Sequence, residues 1–155
     1  MKIKICAIGR LKEKFLVDGV SEYLKRIKNF AKIEIAEIPE CKTVEDEGAK
    51  LLTQILRDSF VIVLDVAGES LSSENFAEKI AALSLHGVSS ITFIIGGAFG
   101  LSEEVRRAAN FRLSISPMTF THQMARLILV EQIYRAFKTF AMSRTTTENF
   151  AADFR

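Results

Sequence analysis

Five short apolar segments recur along the chain, and the stretches between them carry apolar residues at helical spacing. This alternation constrains the fold more than any other feature. The segments are Lys2–Ile8, Lys32–Ile38, Phe60–Val66, Ser90–Ile95 and Phe111–Ser116. The first two show period-two alternation. Phe60-Val61-Ile62-Val63-Leu64 is continuously apolar, as a strand covered on both faces should be. Between the strands, Phe15, Leu16, Val20, Tyr23, Leu24 and Ile27 form one helical stripe. Leu51, Leu52, Ile55 and Leu56 form a second, and Phe76, Ile80 and Leu83 a third. Ser73 before Glu74, and Ser102 before Glu103-Glu104, read as N-caps with acids at the positive end of the helix dipole. A last helix is expected from about Gln123 to Met142, with Leu127, Val130, Tyr134, Phe137 and Ala141 on one side. Glu131 and Arg135 form an i,i+4 pair on another face. This order predicts an α/β fold, a mostly parallel sheet flanked by helices on both faces. With no repeat, low-complexity tract or linker, residues 1–155 read as a single domain.

Composition narrows the function classes. Hydrophobic content of 48% with 26% charged residues is that of a globular chain, and no apolar run approaches the roughly 20 residues of a membrane helix. The N-terminus alternates instead of forming a signal-peptide core, and Cys6 and Cys41 are too few for a disulfide framework, so a cytoplasmic location is expected. Cys6, in a core strand, reads as a small buried hydrophobe. Two histidines without clustered partners argue against a metal site. The net charge of +2 conceals an uneven distribution. Residues 1–30 and residues 105–155 each carry eight Lys/Arg against three Asp/Glu, whereas residues 31–104 carry five against thirteen. Brought together, the two ends could offer a basic surface to a polyanion; the alternative is ordinary solvated helix faces.

The ligand site of an open α/β sheet lies at the carboxyl ends of its strands, which draws attention to two loops. Ile95-Gly96-Gly97-Ala98-Phe99-Gly100 has neither the spacing of a dinucleotide fingerprint nor a P-loop Lys-Ser/Thr. Its glycines could bring main-chain groups close to a ligand, or simply turn a strand into a helix. Ser116, Pro117, Met118, Thr119, Phe120 and Thr121 are unusual company for a core segment and read as a binding loop. His122 beside them is a catalytic base or, more ordinarily, a helix cap. Asp65 either caps its loop or faces a ligand, and His86 before Gly87 reads as a helix C-terminal residue.

Five ordered motifs now combine. They are Leu64-Asp65-x-x-Gly68, Leu71-Ser72-Ser73-Glu74-x-Phe76-Ala77, Ile94-Ile95-Gly96-Gly97-x-x-Gly100-Leu101, Ser116-x-Met118-Thr119-Phe120-x-His122-Gln123 and Glu131-Gln132-x-Tyr134-Arg135-Ala136. With the opening Lys2-Ile3-x-Ile5-x-Ala7-Ile8-Gly9-x-Leu11-Lys12, they resemble the ribosomal RNA large subunit methyltransferase H family, of the SPOUT class, over residues 1 to about 140. The resemblance implies methyl transfer from S-adenosyl-L-methionine to N3 of a pseudouridine in 23S rRNA of the large subunit. It also implies a C-terminal trefoil knot and a homodimer with the site at the subunit interface. The cofactor residues would be Leu64, Gly96, Gly97 and Ser116 through Thr121. Arg10, Lys12 and Lys14 are the leading candidates for phosphate contacts with RNA. No catalytic residue is assigned, because the family's closing Tyr-His-basic motif has no match here. The chain after Phe140 is polar, lacks histidine and ends Phe154-Arg155; residues 141–155 are expected to form a mobile tail. Hence the alternative reading, an adenosylmethionine-binding, ribosome-associated protein with lost or impaired catalysis.

Overall fold

The computed structural model describes the backbone of residues 1–153 and side chains as far as Ala141. Strands β1 (Lys2–Ile8), β2 (Lys32–Ile38), β3 (Phe60–Ser70), β4 (Ser90–Ile95) and β5 (Phe111–Ser114) form one sheet of order β2-β1-β4-β3-β5. Every neighbouring pair is parallel. Helices α1 (Lys14–Ile27), α2 (Val44–Thr53), α3 (Ser73–Leu85), α4 (Glu103–Ala108) and α5 (His122–Asp153) connect and cover it.

The two-residue period of the strands sorts their side chains into two cores. Ile3, Ile5 and Ala7 of β1, Ile62 of β3 and Ile91, Phe93 and Ile95 of β4 point to one face, under α1, α3 and α5. Cys6 and Ile8, Val61 and Val63, and Ile94 point to the other, under α2 and α4. β1 is therefore central and covered on both sides, although Lys2 and Lys4 give its opening an alternating look. Lys4 escapes by reaching Gln54 Oε1 at 3.1 Å. On the same face as Cys6, the fully buried hydroxyl of Thr92 accepts the N–H of Leu56 and pairs with Ser59 Oγ at 2.8 Å.

Several boundaries differ from the expected ones. β3 continues beyond Val66 to Ser70, because the chain bulges between Leu64 and Glu69 and then pairs again with β5. β5 stops at Ser114, two residues early. The cap of α3 is Ser72, not Ser73: the Ser72 hydroxyl accepts the N–H of Asn75, while Ser73 is already helical and donates to Gln132 Oε1 on α5. Ser102 caps α4 as expected. His122 is not a cap; Thr121 Oγ1 accepts the N–H of Met124, leaving His122 as the first helical residue. His86 does end α3, its Nδ1 lying 2.6 Å from the Ala82 carbonyl oxygen. The buried face of α5 centres on Leu129, Val130, Ile133, Ala136 and Phe137, while Leu127 and Tyr134 are half-buried toward α1. The helix also extends past Met142 to Asp153, so the backbone of the expected tail is helical that far. Phe154 and Arg155, and side chains from Met142 on, lie outside the described residues.

One long-range contact fixes the path of the C-terminal third. Arg126 of α5 is fully buried and donates to Glu37 Oε2 at 2.8 Å and to the Gly9 carbonyl at 3.0 Å. Those partners lie at the carboxyl ends of β2 and β1, whereas α5 follows β5 at the opposite edge. The connecting loop must therefore cross the ends of β3 and β4.

Burial pushes the Cys6 thiol up to about 11, with Lys4 opposing and Glu34 adding to the shift. It is neutral at pH 7 and shielded, whereas Cys41 is half-exposed. Iodoacetamide should alkylate Cys41 in the native protein and Cys6 only after denaturation, as read by peptide mass spectrometry. Equal native labelling of the two would contradict the packing around Cys6.

Candidate active site

A cleft of about 780 Å³ lies at the bulge of β3 and the carboxyl ends of β4 and β5, within the range typical of small-molecule sites. Of the proposed cofactor residues, Leu64, Gly96, Gly97, Ser116, Met118, Thr119, Phe120 and Thr121 line it. Pro117, an exposed member of the same loop, does not. Lys12 lines the opposite wall with Glu13, Phe15 and Leu16. Arg10 and Lys14 stand outside, and the exposed Lys14 ammonium pairs with Asp18 on its own helix.

The two glycines matter through crowding and not through unusual dihedrals. A Cβ on Gly96 would sit 2.6 Å from the Gly100 carbonyl oxygen, and one on Gly97 would sit 2.8 Å from Ile8 Cγ2. Only Gly100 of this loop has a positive φ, 79°. The loop is closed by the Gly100 N–H donating to the Gly97 carbonyl at 3.0 Å. Across the cleft, Ser116 Oγ accepts the N–H of Met118, and Ser114 Oγ donates to the Ser116 carbonyl. Both loops are thus held by local polar contacts.

Asp65 takes the structural alternative. Its carboxylate accepts the N–H of Ala67 at 3.0 Å, Arg112 Nη2 at 2.7 Å and Arg106 Nε at 3.2 Å. Burial by itself would raise its pKa; the Ala67 N–H and the guanidiniums of Arg112 and Arg106 outweigh burial and hold it below the usual carboxylate value. The interaction braces the bulge of β3 against α4 and β5.

Two polar residues beside the cleft, Arg126 and Glu47, escape sequence reasoning. Glu47 of α2, 3% exposed, accepts the N–H of Cys41 through Oε2, while Oε1 is buried without a partner on the side of Gly97. His122 Nε2 is likewise buried and unpartnered, against Gly9. Arg126 did leave a signal: it stands three and four residues before the core residues Leu129 and Val130, on the face that α5 buries. Glu47 left none, since three consecutive acids in a first turn read as dipole complements.

The cleft combines aliphatic walls from Leu16, Leu64, Ile95, Leu101, Leu113 and Ile115 with loops that offer main-chain groups and small hydroxyls. That donor set suits a ligand with a flat apolar ring and a polar, hydroxylated remainder. Among the described residues no group of three His, Cys, Asp or Glu is placed to hold a metal ion, and no helix is long and apolar enough to cross a membrane.

Two variants test this construction. Gly97→Ala should lower stability by about 1–3 kcal/mol in urea denaturation, because Ile8 is fully buried and cannot yield freely. An unchanged midpoint would show the loop to be slack. Asp65→Asn should cost about 1–3 kcal/mol at pH 7. Because the folded pKa is lowered, that contribution is complete above the unfolded value of about 4 and fades as pH falls through the folded value. The gap between wild type and variant should therefore persist from pH 7 to about pH 4 and close only below it; a gap independent of pH would exclude the ionic origin.

Comparisons with known proteins identify the family. A family model described as a predicted SPOUT methyltransferase matches residues 1–143. A ribosomal RNA large subunit methyltransferase H from Carboxydothermus hydrogenoformans is 48% identical over 150 residues, covering 89% of this chain and 94% of that protein. The protein of the same name from Streptococcus mutans is 44% identical over 149 residues, covering 88% and 94%. The solved structure of a probable methylase family protein from Haemophilus influenzae superposes with a TM-score of 0.54 at 15% identity, over 88% of this chain and 66% of that one, a likeness of fold alone. The chain, with its parallel sheet and its cleft at the strand ends, belongs to the SPOUT methyltransferases and within them to the ribosomal RNA large subunit methyltransferase H family.

Proposed function

We propose that this protein methylates N3 of a pseudouridine in 23S rRNA of the large ribosomal subunit, using S-adenosyl-L-methionine. The observation that carries the reading is the convergence of Leu64, Gly96-Gly97 and the Ser116–Thr121 loop on one cleft, in a chain whose relatives bear that enzyme's name over almost their whole length. Those relatives are named as methyltransferases, which favours turnover over binding alone.

Leu64, Gly96, Gly97 and residues 116–121 would hold the cofactor, main-chain groups fixing its polar parts and the aliphatic walls its ring. When bound, it would supply a methyl group already activated on a sulfonium; its transfer to N3 would leave a neutral thioether and release the N3 proton to solvent. The chain's own task is alignment, the largest lever available when the donor is already electrophilic. Lys12 on the opposite wall, with Arg10 and Lys14 on the same segment, would hold phosphates on the acceptor side.

A homodimer belongs to the same reading. Phe15, Val66, Phe99, Met118 and Phe120 leave large apolar surfaces exposed on or beside the cleft, which a second copy would cover. The C-terminal trefoil knot is likewise proposed; support comes from the Ser116–Thr121 loop, which must cross two strand ends to bring Arg126 to Gly9. A ribosomal substrate places the working protein in the cytoplasm.

Ribosomes from a strain lacking the modification, incubated with the protein and methyl-labelled cofactor, should acquire label in 23S rRNA. Cofactor binding without transfer would establish the non-catalytic alternative. Reversing charge at Arg10, Lys12 and Lys14 together should reduce transfer at least tenfold at physiological salt. Full activity in the triple variant would remove these residues from the RNA surface.

A further inference from the structure

The turn between β1 and α1 does not satisfy its own backbone. Gly9 donates to the Ile38 carbonyl at 2.8 Å, a continuation of the sheet. Beyond that, side chains from distant elements take over. The Gly9 carbonyl accepts from Arg126 Nη2 at 3.0 Å, the N–H of Leu11 donates to Glu37 Oε2 at 2.9 Å, and the N–H of Lys12 donates to Gln123 Oε1 at 3.1 Å. Glu37 Oε2 also accepts from Arg126 Nη1 at 2.8 Å, which joins these contacts into one network. Backbone polar groups need partners, and a turn without internal ones takes its shape from whatever supplies them. Gly9 has a φ of +85°, and a Cβ there would lie 3.2 Å from Glu40 Oε1 and 3.4 Å from His122 Nε2. The start of α5 therefore ties the turn and packs beside it.

The tie joins the two walls of the cleft. Lys12, Glu13, Phe15 and Leu16 stand on one side; on the other the Ser116–Thr121 loop runs directly into His122, Gln123 and Arg126. We propose that Gln123 and Arg126 are positioning residues: they latch the β1–α1 turn to α5 and so set where the basic acceptor-side wall stands relative to the cofactor loops. This rests on the methyl transfer proposed above. The cofactor loops keep their own local hydrogen bonds through Ser116, Thr121 and Gly97. Loosening the latch thus misaligns the acceptor more than it disturbs the donor.

The Gln123 contact is exposed, so it can be broken without opening the core. Gln123→Met removes the acceptor oxygen at similar size, and Gln123→Glu retains one. In Gln123→Met, kcat for ribosome methylation should fall about tenfold, a larger change than any in cofactor Kd, with the thermal midpoint at the wild-type value. In Gln123→Glu, kcat should be kept, the added charge raising only the KM for ribosomes, and less so at higher salt. Arg126→Lys, which keeps the buried charge but loses the two-pronged contact, should move kcat in the same direction as Gln123→Met. Wild-type kcat in Gln123→Met, or a loss confined to cofactor affinity, would overturn the latch. Amide hydrogen exchange gives a readout independent of chemistry: the Lys12 N–H should exchange faster in Gln123→Met than in wild type, and equal rates would also overturn it. Absence of transfer by the unaltered protein would instead count against the proposed function, and the exchange rates would still decide the latch.

Discussion

A single buried guanidinium organises the functional end of this molecule. Arg126 has no exposure, and its charge is compensated by one carboxylate, Glu37, and one backbone carbonyl, that of Gly9. Burying a charge is costly unless it is paired and hydrogen-bonded; here Nη1 and Nη2 are paired while Nε is buried without a partner. The contact therefore discriminates strongly among possible paths for the chain after β5. Only a path that carries α5 across the ends of β3 and β4 lets Arg126 meet both partners. That path lays the Ser116–Thr121 loop over the ends of β3 and β4, opposite the Gly96-Gly97 turn, and so creates the cleft.

The rest of the site is scaffolding of an economical kind. Gly96 and Gly97 permit backbone and β1 side chains to approach where any Cβ would collide. Asp65, held ionised by Ala67, Arg112 and Arg106, braces the bulge that lets β3 pair twice with β5. Neither feature needs to touch a ligand to matter: each fixes a wall. What remains on the cleft walls is main chain, hydroxyls and aliphatic and aromatic surface, with Lys12, His122 and Gln123 among the polar side chains.

Much of the architecture was legible from local pattern. The strand limits of β1, β2 and β4, the N-cap at Ser102, the burial of Cys6 and the gathering of Leu64, Gly96-Gly97 and the Ser116–Thr121 loop all follow from periodicity, turn chemistry or motif. The failures share a cause. Ser72 and Ser73 are equivalent as local signals, and only the backbone angles distinguish the cap from the residue that reaches Gln132. His122 read as a cap from its place before the helix, whereas the neighbouring Thr121 hydroxyl takes that role. Of the basic trio, sequence could not show that Lys12 faces the cleft while Lys14 turns to Asp18.

Sequence alone determined which segments are strands and helices, and which loops are too polar and glycine-rich to be core, because hydrophobic periods and turn preferences act within a few residues. The motif resemblance added the family. Tertiary structure decided the strand order, the long crossing from β5 to α5 and the burial of Arg126, Glu47 and the His122 Nε2 atom. These depend on pairings between residues far apart in the chain, and on the balance between desolvation and hydrogen bonding at each buried polar atom, which no local pattern encodes.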